Sequence, residues 1–143
     1  MKSLWTMRFL VLLGFVVFDL LCTRCFISSL AEEGNSYARV LMQTFGISGG
    51  LVLFSIAIAG ILALILYLGK SIVSTRKGTV ELTIVLGLDV CFAWFVAGMH
   101  FVGGTSWFWL APEIVRSLMG AGIYLVVFYS IWLVISSRRI HGA

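Results

Sequence analysis

Four long apolar stretches, separated by short polar connections, dominate the pattern of hydrophobic and polar positions along the chain. Each is long enough to cross a bilayer as a helix, which takes about 20 mostly apolar residues. They lie at about residues 8–30, 46–69, 80–102 and 114–136. Because the connections are short, consecutive helices are expected to be antiparallel neighbours. The pattern predicts an all-α membrane protein, a four-transmembrane-helix up-down-up-down bundle that forms a single integral membrane domain over residues 1–143.

The composition excludes an ordinary soluble domain. The chain of 143 residues is 61% hydrophobic and only 11% charged, whereas soluble domains carry about 25% charged residues. So few charges cannot cover a water-facing surface, and the length leaves no room for a separate soluble catalytic module.

The first stretch has a competing interpretation as a secretory signal peptide. Lys2 and Arg8 fit its basic beginning, and Ser29 to Ala31 resembles a small-x-small cleavage site. The apolar run is longer than the hydrophobic region of a usual signal peptide, so a retained first span is favoured.

The basic residues are distributed unequally between the two sides of the predicted bundle. One side carries Lys2, Arg8, Lys70, Arg76, Lys77, Arg138 and Arg139, and the other carries Glu32, Glu33, Arg39, Glu113 and Arg116. Cytoplasmic loops carry the excess of Lys and Arg. The sequence therefore predicts a multi-pass protein of the cell membrane with both termini in the cytoplasm. Its positive charge indicates contact with anionic lipid headgroups of the bilayer, and nothing indicates a nucleic-acid partner.

The two halves of the chain resemble one another. A shift of 70 residues superimposes Asp19 on Asp89, and a shift of 74 superimposes Gly46 on Gly120. Each half would contain two spans, so the halves would be tandem parallel helical hairpins related by an axis along the membrane normal.

Polar residues inside the apolar stretches are the candidates for a site. Asp19 and Thr23 share a helix face, and Asp89 and His100 share another. Ionisable residues at the bilayer centre cost about 2.5–3.5 kcal/mol, so they are expected to face the bundle interior. From the repeat, Asp19 and Asp89 are expected to approach one another. The group is either a proton or cation site or a structural contact that joins the helices.

No cofactor or catalytic set is predicted. Cys22 and Cys25 form a C-x-x-C pair, which a neighbouring Arg24 could activate for redox chemistry, but no second pair completes a zinc site. His100 is the one histidine within a predicted span, so a haem held by two histidines is not expected. No serine elbow, phosphate loop or H-E-x-x-H motif is present, and the chain is not expected to be an enzyme.

Small and aromatic residues indicate where helices pack. Gly46 and Gly50 form a G-x-x-x-G motif, and Gly120 lies in the fourth stretch, so all three are expected to allow close helix approach. Trp107 and its aromatic neighbours are typical of an interfacial belt or a docking surface.

The first third of the chain, "FDLLCTRCFISSLAEEGNSYARVLM", resembles an uncharacterised prokaryotic multi-spanning membrane family, a domain of unknown function. That family has Asp-x3-Thr in the first span, matched by Asp19 and Thr23, and then Glu-x-Asn-Pro in the outer loop, matched by Glu33 and Asn35. Ser36 stands where the proline belongs. The resemblance implies a compact helical fold and no activity.

The architecture also resembles MARVEL-type four-span proteins, some of which have an acidic residue in the third span, as Asp89 is here. The favoured interpretation is a non-catalytic accessory or scaffold subunit of a larger membrane complex, with other integral membrane subunits or a second copy of the chain as partners. The alternative is a small oligomeric proton or cation transporter or channel that uses Asp19 and Asp89.

Overall fold

The computed structural model describes residues 2–75 and 78–141, with side chains from 4–75 and 78–137. All the regular secondary structure in these ranges is helical, and the ranges contain no strand. The elements are α1 (Lys2–Phe26), a short 3₁₀ turn (Leu30–Glu32), α2 (Ser36–Ser74), α3 (Thr79–Phe92), a π-helical segment (Ala93–Gly98), α4 (Met99–Thr105) and α5 (Glu113–His141). The all-α prediction is confirmed.

Four helices in the described residues are long and apolar enough to cross a membrane. They are Leu4–Phe26, Ser36–Ser74, Thr79–Thr105 and Glu113–Ser137. The third, Thr79–Thr105, runs through α3, the π-helical segment and α4 and is called the third apolar helix below. The four predicted stretches are therefore confirmed as helices, and α2 begins ten residues before the predicted boundary at residue 46.

Helix α1 is central to the packing, because it contacts α2, the third apolar helix and α5. Its Leu12 and Val16 are almost completely buried, as are Tyr124 and Phe128 of α5. Between apolar helices such side chains contribute through close van der Waals packing. The core thus lies around α1, and α2 contributes Leu62, Leu66 and Val73 to it.

Gly46 and Gly50 have a different role from the helix–helix contact expected of the G-x-x-x-G motif. Gly46 has φ 74° and ψ 163° and breaks α2 into two segments, a conformation that favours glycine because it has no Cβ. A Cβ on Gly50 would lie 2.3 Å from the backbone nitrogen of Met42. Both glycines therefore let α2 bend back on itself, and their close contact is within one helix.

Gly120 lies where α5 crosses the third apolar helix. A Cβ there would lie 2.5 Å from Cβ of Phe101 and 2.8 Å from the carbonyl oxygen of Ala97. The π-helical segment rotates the following residues around the helix, so Ala97 and Gly98 are buried while Val96 is only partly covered. Small residues on both helices thus permit close backbone approach at this crossing.

Candidate functional site

The structure does not bring Asp19 and Asp89 together. Asp89 pairs with Arg8, and Asp19 pairs with His100; each pair is separated by 81 residues in the sequence. The equal separation means that α1 and the third apolar helix run in parallel. Since Arg8 and Asp19 are eleven residues apart in α1, the two pairs lie about 16 Å apart along the helix axis. The expectation that Asp19 and Asp89 approach one another is wrong, because the residue of the third apolar helix that lies at the height of Asp19 is His100.

The Asp89 carboxylate accepts four hydrogen bonds. Arg8 donates from Nε to Oδ1 at 2.7 Å and from Nη2 to Oδ2 at 2.9 Å. Tyr124 donates its hydroxyl to Oδ1 at 3.2 Å, and Tyr129 donates to Oδ2 at 3.1 Å. A carboxylate has about four lone-pair sites, so its hydrogen-bonding capacity is filled. We call these four residues the inner network.

Two aromatic rings lie against the guanidinium of Arg8. Its Cζ lies 4.9 Å from the ring centroid of Trp5 and 4.5 Å from that of Phe128. A cation near an aromatic face is attracted by the ring quadrupole, more strongly when it is removed from water. The inner network therefore has its two charges paired and the acceptor sites of Asp89 filled, with two aromatic rings against the guanidinium.

The pairing of Arg8 with Asp89 was not predicted from the sequence. There Arg8 was counted among the basic residues of the cytoplasmic side that indicate orientation. Arg8 is 5% exposed and lies inside α1. The available signal was an aspartate inside one apolar helix and an arginine within another, since a buried carboxylate requires a partner. The two tyrosines carried no such signal, because tyrosine is common in apolar helices near an interface.

The second group joins α1 to the third apolar helix and to the segment after it. His100 Nδ1 lies 2.8 Å from Oδ2 of Asp19. Thr23 donates its hydroxyl to Oδ1 of Asp19 at 3.4 Å, and Trp107 donates its indole N–H to the hydroxyl of Thr23 at 3.2 Å. We call these four residues the outer group. Trp107 thus faces the interior, although its sequence context is typical of an interfacial belt.

Two glycines of α4 let α1 approach at the level of the outer group. A Cβ on Gly103 would lie 2.5 Å from Oδ1 of Asp19, and one on Gly104 would lie 2.5 Å from the ring of Phe18. Any side chain at Gly103 would therefore displace the Asp19 carboxylate. The position of this carboxylate depends on the absence of a side chain opposite it.

The outer group lines a cavity of about 740 Å³ between α1, α2 and the third apolar helix. Its walls are largely apolar, and its rim is formed by the connections at the same end of the bundle. The ionisable residues of the lining are Asp19, Glu32, Glu33, His100 and Glu113. Ligand sites typically occupy about 300–1,000 Å³ and combine apolar walls with a few polar groups. This outer cavity has that character.

The rim is ordered by side chains that bond the backbone. Asn35 begins α2 by accepting from the amides of Tyr37 at 3.0 Å and Ala38 at 3.3 Å, as a helix N-cap does. Glu33 accepts from the Asn35 amide at 2.8 Å, and its carbonyl oxygen accepts from Arg39. The residues matched to the outer-loop motif therefore fix the backbone at the start of α2; they are Glu33 and Asn35.

Glu32 orders the turn between α1 and α2. Its carboxylate accepts from the amide of Ser28 at 2.8 Å and from that of Ser29 at 3.4 Å. These backbone hydrogen bonds, chiefly the one from Ser28, lower the pKa of Glu32 because they favour its charged form.

The cysteines are not assembled into a metal or disulfide site. Cys22, Cys25 and Cys91 are free thiols. Among the residues that the structure describes, no three His, Cys, Asp or Glu side chains are grouped so as to hold a metal ion. Cys25 and Cys91 are exposed on the outside of the bundle.

A second cavity, of about 390 Å³, lies at the opposite end of the bundle beside the inner network. Its lining is mainly apolar and aromatic, with Trp5, Phe128 and Trp132 among its walls and Glu81 as its carboxylate. Arg8 reaches this cavity but is already bonded to Asp89.

Comparison of the chain with protein-family models, curated proteins and solved structures finds no match.

Proposed function

We propose that the chain is a four-span integral membrane protein with up-down-up-down topology and both termini on the cytoplasmic side. Four helices of sufficient length and apolarity support the spans, and large apolar side chains such as Ile56, Leu64 and Val126 are exposed along them. The excess of Lys and Arg at the end that carries the termini supports the orientation. The outer cavity then opens away from the cytoplasm.

We infer that this protein binds a small-molecule solute in the outer cavity and belongs to the transporter class. The observation that carries this proposal is an Asp–His pair on the wall of a cavity large enough for a small molecule. Asp19 lies seven residues before the end of α1, about 10 Å from it along the axis. Ionisable residues held at such depth are typical of solute or ion pathways.

The packing between the outer group and the inner network favours entry of a solute into the outer cavity from one side of the membrane only. Leu12, Phe92 and Ala97 are buried and fill the space between α1 and the third apolar helix. The inner network lies beyond them and joins α1, α3 and α5. The arrangement corresponds to an outward-open state, in which passage of a solute requires movement of α1 relative to the third apolar helix.

A cavity-filling variant tests this proposal. Ser55 of α2 lines the outer cavity, whereas Ser130 of α5 is exposed elsewhere. A ligand that binds only the folded protein raises its stability. We expect a panel of cationic, anionic and neutral solutes to include at least one that raises the melting temperature of wild type and Ser130→Trp but not of Ser55→Trp. Equal shifts in all three proteins would place binding outside the cavity and contradict the proposal.

A second candidate function, an accessory subunit of a larger membrane complex, is favoured by the surface of α2. This helix contacts α1 and α3, and Ile61, Leu64 and Leu68 are among many of its large apolar side chains left exposed. Native electrophoresis after mild-detergent extraction tests it. Co-migration with other integral membrane subunits, lost in Leu64→Ser but kept in Val126→Ser on α5, is the expected result. Migration at monomer size contradicts the subunit role.

A further inference from the structure

We propose that the solute of the outer cavity is an organic cation, a protonated amine or quaternary ammonium with an apolar body. This inference rests on the proposed solute-binding function and specifies its substrate class. It follows from the charge, the shape and the walls of the cavity.

The charge of the lining is negative. Four carboxylates, those of Asp19, Glu32, Glu33 and Glu113, face one histidine, and no Lys or Arg belongs to the described lining. Two arginines lie close to the lining without belonging to it: Arg39 donates to the carbonyl oxygen of Glu33, and Arg116 to that of Val102. A cavity with low-dielectric walls and one sign of charge concentrates ions of the opposite sign. The outer cavity therefore attracts cations and repels anions.

Asp19 is the carboxylate best placed to bind the charged group of the ligand. It lies deepest of the four, and its two described partners are Thr23 and His100. These contacts leave part of its acceptor capacity available. With Nδ1 of His100 toward Asp19, Nε2 is the ring nitrogen available to water or to a polar group of the ligand. Glu32, Glu33 and Glu113 at the rim attract the cation, and Asp19 binds it.

The walls select an organic ion. Phe54, Phe95 and Met99 line the cavity together with aliphatic side chains. Aromatic faces and methionine sulfur favour contact with a polarisable cationic or aromatic body. A volume of about 740 Å³ is far larger than a dehydrated metal ion needs, and the described residues provide no cluster of three metal ligands. The space corresponds to a drug-sized molecule.

The test compares three aromatic probes on protein in phosphatidylcholine nanodiscs: ethidium as a permanent cation, anilinonaphthalene sulfonate as an anion and N-phenyl-1-naphthylamine as a neutral analogue. We expect ethidium alone to raise the melting temperature saturably, with an affinity that falls as salt screens the rim. Asp19→Asn should weaken ethidium binding about tenfold or more, because the paired charge is removed. Glu81→Gln, a carboxylate of the other cavity, should leave it unchanged.

Glu113→Gln keeps the test decisive if Asp19→Asn does not fold, because Glu113 is exposed at the rim. It should reduce the salt dependence of ethidium binding. Equal stabilisation by ethidium and the anion, or an unchanged ethidium affinity in the Asp19 and Glu113 variants, overturns the cation assignment. If the neutral analogue alone stabilises wild type and fails with Ser55→Trp, the substrate class is wrong and solute binding stands. If no probe or other solute distinguishes wild type from Ser55→Trp, both proposals fail.

Discussion

The inner network and the outer group are both built on an aspartate paired with a basic side chain, but the two pairs differ in how deeply they are buried. Each places an aspartate against a nitrogen-bearing side chain across α1 and the third apolar helix, 81 residues apart. In the inner pair the side chains of Arg8 and Asp89 are 6% and 1% exposed, whereas those of His100 and Asp19 are 16% and 23% exposed. The inner pair is the more deeply buried, and the outer pair is partly exposed to the outer cavity.

The difference lies in how completely each carboxylate is satisfied. Four hydrogen bonds from two other helices, α1 and α5, occupy Asp89, while Asp19 has two partners on the cavity wall. A buried charge left without its partner is strongly unfavourable, so the inner network resists change. A partly satisfied charge beside open space has capacity for a ligand. We expect the inner network to govern stability and the outer group to govern binding.

The largest expected effect is the loss of Asp89. Asp89→Leu leaves the Arg8 guanidinium buried without a counter-charge, and breaking such a pair costs about 3–5 kcal/mol of unfolding free energy. Asp89→Asn should also be strongly destabilising, because it removes the counter-charge of the buried Arg8. Thermal or denaturant unfolding in detergent measures this.

The double variant Arg8→Met with Asp89→Leu is the control for that prediction. It removes both charges together, so it should recover most of the stability lost in either single variant. A double variant destabilised by the sum of the two singles would show that the pair is not coupled.

Gly120→Leu should have the next largest effect, because it separates the helices that hold the inner network. Its side chain would meet Phe101 and the backbone of Ala97, and overpacking of this kind costs about 1–3 kcal/mol. Gly122→Leu is the matched control, since a Cβ at Gly122 meets nothing within 4 Å. Melting temperatures of the two variants measure the contrast, and equal losses would contradict the close crossing of α5.

Asp19→Asn should change stability little. Asparagine retains an acceptor for Thr23, and single interhelical polar contacts in membrane proteins contribute about 0.6 kcal/mol on average. The comparison with Asp89→Asn by the same unfolding measurement separates the two groups. A loss as large as that of Asp89→Asn would show that the outer group is structural.

The smallest effect is confined to the rim. Hydrogen bonds from Ser28 and Ser29 lower the pKa of Glu32, so its contribution to folding is present above the pKa of the unfolded chain and is lost as pH falls through the lower folded value. The protection factor of the Ser28 amide, its exchange rate relative to the intrinsic rate at the same pH, should therefore fall below roughly pH 4. Glu32→Gln should remove this pH dependence and leave the inner network unchanged. An unaltered protection factor across this range would contradict the bond.

The sequence by itself determined the helices. Runs of about 20 apolar residues leave a chain no other way to satisfy its backbone in an apolar environment, so their number and approximate positions were predictable. The same pattern identified Asp19, Thr23, Asp89 and His100 as polar residues that require partners.

Only the tertiary structure decided which partners those residues have. Helical periodicity places residues on a face but gives no relative height between two helices, so the pairing of Asp89 with Arg8 rather than Asp19 depends on how α1 and the third apolar helix are aligned. The π-helical segment shifts which residues face the core after Ala93. The kink at Gly46 likewise changed a motif expected at a helix interface into a bend. The local sequence pattern determines which side chains a helix must bury. The register and the bends of the packed helices determine which residues of the other helices those side chains contact.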